Sequence, residues 1–238
     1  MSTTYKELYQ RAMTRIEAAI PGKSKDGIAL LSAKEAVNSA CKALARIQNF
    51  DELIVLDTTN AATVASTSTY HIVNDWGLTR PKDILSLKYM DTSSSRKLLW
   101  VSPREVDTVI PYPAMMGENL PVWYTTRGLS VELFPTPNAA KSIYINYVQW
   151  PAELVNDSDL MVFPDDVDDV LVSATAAIAL SIIRGVEYNS VQIVQLILQG
   201  TVIEERNKVD RMYVARPFNP GVSVVGEYWK DPMIRRNP

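Results

Sequence analysis

Histidine and cysteine are nearly missing from this chain, each occurring once in 238 residues. The single thiol, Cys41, has no internal disulfide partner. Its helical spacing among Val37, Ala40 and Leu44 predicts a small buried apolar side chain. His71 lies in a strand-like Thr-Tyr-His-Ile-Val run. With no second imidazole and no second thiol, the count excludes a His/Cys metal cluster and a catalytic dyad. Gly27, Gly117, Gly128 and Gly185 build neither a GxGxxG nor a GxxxxGK cradle, and no GxSxG elbow occurs. Nothing positive points to an enzyme, although 27 acidic residues leave a hydrolytic carboxylate pair conceivable. A basic excess is also missing: Lys and Arg number 24 against those 27 acids, a net charge of −3, so nothing points to nucleic acid as a ligand. No apolar run approaches the ~18 residues that cross a bilayer. Met1 to Tyr5 carries neither the basic nor the apolar region of a secretory signal. The expectation is a soluble protein made in the cytoplasm, with no cofactor, no metal and no membrane partner.

What is present is ordinary globular composition, 47% hydrophobic and 21% charged, enough for one sizeable core or a core with a satellite. The spacing of apolar residues changes twice. Leu8, Ala12, Ile16 and Ala19/Ile20 recur at helical spacing, with Ser2-Thr3-Thr4 offering caps and Pro21-Gly22 a stop, which predicts a helix over about 4–20. Leu30, Val37 and Leu44 repeat by sevens with Ala33, Ala40 and Ile47 between them, predicting a second helix over about 28–48. From Asp51 the period becomes two. Glu52 to Asp57, Tyr70 to Val73, Ile84 to Met90 and Lys97 to Val101 read as strands. The Thr58 to Thr69 stretch is rich in Thr, Val and Ala and favours exposed strand over helix. Asp91 to Ser95 reads as a turn, a short helix is expected from Ser102 with Pro103 at its first position, and Ile110 to Leu120 has the composition of a loop.

The stretch from Pro121 to Ile183 is the most informative. Its first part reads PVWYTTRGLSVELFPTPNAAKSIYINYVQWPAEL. Trp123 to Arg127 is a strand, Gly128-Leu129 a tight turn, and Ser130 to Pro135 a second strand. After a looser turn, Lys141 to Trp150 is a third, with Ile143, Ile145 and Tyr147 on one face. Pro151, which has no amide proton for the ladder, ends it. Phe163-Pro164-Asp165-Asp166-Val167-Asp168-Asp169 then opens a helix over about 165–184, with Val170/Leu171, Ala174, Ile178 and Ile182 along one face. A fourth helix is expected over about 189–213, striped by Val191, Val194, Leu198 and Val202. The last residues carry Pro217, Pro220, Pro232 and Pro238 and should be extended. The predicted fold class is α+β: a helical bundle with two N-terminal and two C-terminal helices, interrupted by an antiparallel β-sandwich or barrel-like insert, and followed by an extended arm. In residue numbers this is a helical domain of 1–50 and 160–214, a β-rich insert of 51–159 and an arm of 215–238.

The order of Pro-x-x-Tyr, strand, Pro-x-Pro, strand ending in Tyr, Trp-Pro, and Pro-Asp-Asp before an Ala-rich helix resembles the head-to-tail adaptor (connector) proteins of tailed bacteriophages. The pattern covers roughly the second half of the chain. It consists of turns and aromatics and includes no catalytic fingerprint. The resemblance implies the same α+β layout, and it implies a non-enzymatic virion protein of the neck. Such a protein forms a cyclic, twelve-subunit ring with copies of itself, sits beneath the portal protein, meets a tail or nozzle protein, and lets DNA pass without sequence-specific binding.

Three groups of residues carry candidate functions. Asp165, Asp166, Asp168 and Asp169 fall in the first turn of a helix, where carboxylates cap free amides and favour the positive end of the dipole, so helix capping is a better reading than an ion site. Trp100, Trp123, Tyr124, Tyr144, Tyr147 and Trp150 lie in strands. They read as core or inter-subunit packing, or, if exposed in a row, as a sugar platform. That second possibility defines the rival function, a glycan-binding or hydrolytic tail component. In the tail, Phe218, Val222, Val224, Val225, Tyr228, Trp229, Met233 and Ile234 are too apolar for a solvated linker and sit among prolines that prevent a helix. Such a segment buries its aromatics on its own domain or, the preferred reading, on a neighbouring subunit or the portal; the candidate partner-binding residues are Phe218, Val224, Tyr228, Trp229 and Met233, with Arg235 and Arg236 available to acidic groups.

Overall fold

The capping signals in the sequence act where they stand. The computed structural model describes residues 3–22, 27–90, 95–109 and 113–208. Helix α1 spans Tyr5–Ala19. The Thr4 hydroxyl accepts from the Glu7 amide and the Glu7 carboxylate accepts from the Thr4 amide, a capping box that satisfies two donors the helix leaves open. Ile20 ends it, and Gly22 turns the chain at a φ of 88°. Helix α2 is Gly27–Ile47. After the β-rich segment, a 3-10 turn over Asp165–Val167 leads into α4, Asp168–Arg184. Gly185 closes α4 in the left-handed region at φ 64°, and its amide reaches the Ile182 carbonyl. In α5, Ser190–Lys208, the Asn189 side chain accepts from the amides of Val191 and Gln192. These ranges fall close to the four predicted ones. The predicted end at Tyr213 lies outside the described residues, as does the whole of 215–238.

The chain divides into two compact units. One holds the segments up to Glu52 and from Pro151, and the other is Leu53–Trp150. In the helical unit α4 packs against α1, α2 and α5. The expected single stripe on α4 widens into nearly continuous burial: Val170, Leu171, Val172, Ala174, Thr175, Ala176, Ile178 and Ala179 are all buried. On α2, alanines at 29, 33, 36, 40, 43 and 45 are buried with Val37 and Leu44, and such small residues let helix axes approach closely. Leu30, expected in that stripe, is instead 38% exposed, because its neighbour Ala29 takes the buried face of that turn.

The β unit contains β1 (Ile54–Asp57), β2 (Thr69–His71), β3 (Pro81–Met90), β4 (Ser95–Lys97), β5 (Leu99–Trp100), α3 (Val106–Val109), β6 (Glu118–Asn119), β7 (Trp123–Arg127), β8 (Ser130–Phe134), β9 (Thr136–Pro137) and β10 (Ile143–Gln149). One four-stranded sheet has the order β1-β10-β3-β4, another the order β2-β8-β7-β5, and β6 pairs with β9. Leu87, Tyr89, Ile143, Ile145 and Tyr147 of the first sheet and Tyr70, Tyr124, Val131 and Leu133 of the second enter one apolar cluster with Trp76. The Trp76 ring stacks on Tyr70 at 5.2 Å and its indole N–H donates to the Ala62 carbonyl at 3.1 Å.

Several expectations for this unit need correction. Lys97 to Val101 is two strands. The Leu98 amide donates to Leu87 in the first sheet and the Leu99 amide to Val122 beside the second, so the chain changes sheets between adjacent residues. The Thr58 to Thr69 stretch is not a strand, apart from Thr69 itself and an isolated bridge at Ala62. Side chains take over its backbone hydrogen bonds: the Asp57 carboxylate accepts from Thr59 and Asn60, and the Tyr70 hydroxyl accepts from the Val64 amide and donates to the Thr67 carbonyl. β2 ends at His71, where the imidazole Nδ1 accepts from the amides of Val73 and Asn74 and turns the chain. Ser102 does bond to the Glu105 amide, but the helix begins at Val106, with Pro103 in the turn before it. Within Ile110 to Leu120 a 3-10 turn covers Pro113–Met116 and β6 follows, while residues 110–112 lie outside the described set, as does the predicted turn at 91–94. The pairing is not wholly antiparallel, since β5/β7 and β6/β9 are parallel.

Leu44 is 1% exposed and Leu31 is 69% exposed on the same helix. Leu44→Ala is expected to cost about 2–5 kcal/mol in urea unfolding, and Leu31→Ala to stay within about 0.5 kcal/mol of the parent.

Candidate interaction surfaces

Three side chains spaced by one helical turn on α2, Lys34, Asn38 and Lys42, hold the returning segment 151–163 against the helical unit. Lys42 pairs with Glu153. The Asn38 amide group donates to the Leu154 carbonyl at 3.0 Å and accepts from the Leu154 amide at 2.9 Å. Lys34 reaches Asp157 at 2.9 Å, and its ammonium sits 4.8 Å from the centre of the Tyr9 ring. The Tyr9 hydroxyl also donates to Asp157, and the Tyr5 hydroxyl donates to the Lys34 carbonyl. Backbone bonds complete the strap: the Tyr5 amide donates to Asp159, the Lys6 amide to Asp157 and the Met161 amide to Thr3. Asp159 in turn accepts from the amides of Val155 and Asn156.

The electrostatics follow from these bonds. The Lys34 hydrogen bond holds the Asp157 carboxyl below its ordinary value, and the same bond raises Lys34. Lys42 lowers Glu153, and the amides of Val155 and Asn156 lower Asp159. Beneath the strap, Cys41 lines a small cleft with Leu154, Met161 and Phe163, and burial pushes its thiol up to about 12. A thiol in that state is an inert packing group and not a nucleophile. Asp157 and Asp159 read from sequence as solvated turn residues. Their role as anchors depends on Tyr9, Lys34 and Tyr5, which are distant in the chain.

The aspartates at the start of α4 stand in the first turns as expected for the positive end of the dipole, and two of them also make tertiary contacts. No side-chain bond caps either the 3-10 turn or α4. Instead Arg11 reaches Asp169 at 2.6 Å and Asp168 at 3.6 Å, Arg15 bonds Ser173, and the Thr3 hydroxyl donates to Asp168. Two of the four carboxylates thus fasten α1 to α4. Among the described residues no cluster of His, Cys, Asp or Glu is arranged to hold a metal ion.

The strand aromatics do not line up. Tyr124 and Tyr147 are each 2% exposed in the core, Trp123 packs beside Phe134, and Lys82 lies over the Trp150 ring. Burial pushes the Tyr124 hydroxyl up to about 12. Trp100 is the one of the six that stands well out, at 54% exposure on the edge strand β5 beside exposed Leu99. The row of rings that a sugar platform needs is not formed by these residues. In the helical unit exposed large apolar side chains stand at the start of α2, around the α4–α5 turn, and at Val155, Leu160 and Val162 of the returning segment. Phe218, Val224, Tyr228, Trp229, Met233, Arg235 and Arg236 all lie outside the described residues.

The family model described as SU10 adaptor protein matches residues 3–196, which takes in both units and the first turns of α5. The chain belongs to the SU10 adaptor protein family. The adaptor is thus a bacteriophage structural protein, a component of the virion that interacts with other phage head or tail proteins, and the family speaks for a structural role over a catalytic one. No curated protein matches the adaptor. Among its described residues no helix is long and apolar enough to cross a membrane.

Asn38→Ala in the adaptor strips both partners from the Leu154 backbone. It is expected to cost about 1–3 kcal/mol in urea unfolding and to speed the reaction of a thiol reagent with Cys41 in native buffer. A parent-like labelling rate would show that the strap does not depend on Asn38.

Proposed function

We propose that the adaptor is a head-to-tail connector, closing into a ring beneath the portal around the DNA channel and joining the portal to a tail or nozzle protein. The observation that carries this reading is the family match over 3–196. In this reading residues 1–50 and 160–214 act as a helical bundle facing the portal and the channel, and the β-sandwich insert expected over 51–159, whose residues 151–159 pack with the helical unit, meets tail components. The arm of 215–238 reinforces the assembly through Phe218, Val224, Tyr228, Trp229, Met233, Arg235 and Arg236. Each copy offers one surface to the next and receives the next copy's complement on another, so a heterologous contact repeated about an axis closes without special chemistry. Twelve copies would match the portal. A net charge of −3 suits a ring that DNA traverses without binding.

The test is mass photometry and negative-stain imaging of the purified adaptor with and without portal. Closed rings seated on the portal are expected. A folded adaptor that joins neither itself nor the portal at micromolar concentration would contradict the proposal. Truncation after Tyr213 is expected to leave the circular dichroism spectrum unchanged while weakening assembly by about 2 kcal/mol, roughly 30-fold. Assembly equal to that of the full-length chain would remove the arm from the mechanism.

A further inference from the structure

One end of the helical unit is apolar and exposed. Phe50, just past the end of α2, meets Phe163, just before α4, with ring centres 5.0 Å apart, so the two helices run antiparallel. From that contact α2 rises about 32 Å over its 21 residues and α4 about 26 Å over its 17, the 3-10 turn before α4 making up the difference. The first turn of α2 therefore lies level with the last turn of α4 and with the Val186–Asn189 connection into α5. At this end Ile28 is 68% exposed, Leu31 69%, Val186 58% and Tyr188 39%, and Leu196, about 9 Å along α5, is 60% exposed. Ile28, Leu31, Val186 and Tyr188 thus stand at one end of the unit, while Leu196, two residues past the buried Val194, lies on the side of α5 turned away from α2 and α4. Two carboxylates border that end. Glu35 follows Leu31 by one turn on the same face of α2, and Glu187 stands between Val186 and Tyr188, both exposed. Arg184 is exposed at the same end.

We infer that this surface is the receptor for the C-terminal arm of a second copy of the chain. The inference rests on the ring reading above. Residues 209–238 leave from the far end of α5. About nine extended residues climb back the length of that helix, so Val224, Tyr228 and Trp229 are all within reach of an apolar end on this copy or on a neighbour. The chemistry matches: large apolar side chains meet an exposed apolar surface, and Arg235 and Arg236 meet Glu35 and Glu187. In a ring of identical copies, one arm and one receptor per chain satisfy each other around the circle and tie each copy to the next, a link that an arm folded on its own chain does not supply.

The experiment places a photo-crosslinking amino acid at Leu31 of the full-length chain, mixes light and isotope-labelled copies, and assembles them with portal. A crosslink between differently labelled chains that maps to 215–238 is the expected result. A crosslink within one chain, a crosslink to portal or tail protein, or none would overturn the assignment. All four outcomes are read only where imaging shows rings, so loss of the ring itself is scored against the connector reading and not against the receptor. As a second measurement, Leu31→Asp is expected to weaken assembly about tenfold or more. Combined with truncation after Tyr213 it should weaken assembly no further than truncation alone. Additive losses would separate the surface from the arm.

Discussion

Helix α4 has no solvent side along most of its length. Between Val170 and Ile183 no residue is exposed, and α1, α2 and α5 pack around it. Each fully buried Val, Leu or Ile contributes about 1.5–3 kcal/mol of gross stabilisation, so α4 supplies the common core from which the other three helices hang. Its alanines at 174, 176 and 179 and those of α2 set the closeness of approach. Polar anchors then fix α1 against α4 through Arg11, Asp168 and Asp169. Helix α5 is the exception. Among its described side chains, Ser190 to Gly200, Val194 is the one that is buried, and Leu196 faces water. A helix so placed is held by one side and leaves the other to solvent.

The strap solves a different problem. A chain that leaves one unit to build another must return along a defined path. The path here is written in three turns of α2 and in the N-terminal residues of α1. Most of its ion pairs are exposed and individually weak. The two hydrogen bonds between Asn38 and the Leu154 backbone and the three backbone bonds to Thr3, Tyr5 and Lys6 give it direction. The edge contact between Phe50 and Phe163 brings the departing and returning segments together inside the helical unit.

Helices were readable because each carries its own local signals. Thr4 with Glu7, Gly185 after Arg184 and Asn189 before α5 fix ends by short-range hydrogen bonding, and these ends fell near their expected places. The strands Trp123–Arg127 and Ser130–Phe134 were legible for the same reason, being joined by a tight turn at Gly128. What sequence could not give was anything decided by distant partners. Lys97 to Val101 alternates like one strand, yet its two halves pair with β3 and β7. The Thr58 to Thr69 stretch has strand propensity, but Asp57 and Tyr70 claim its amides. Asp168 and Asp169 look like caps until Arg11 and Thr3 are seen beside them. The apolar end at Leu31, Val186 and Tyr188 had no signal either, since exposure depends on how α2, α4 and α5 pack.

If α4 is the element on which the helical unit depends, and α5 is held by one side only, the two must open at different free energies. Native-state hydrogen exchange on the monomeric adaptor measures this directly. The amides from Val172 to Ile182 are expected to exchange only through global unfolding, and those of α5 from Ile193 to Leu198 at least about tenfold faster, a difference of about 1.4 kcal/mol. Equal protection of the two helices in a verified monomer, or exchange of α4 by local opening, would contradict the account.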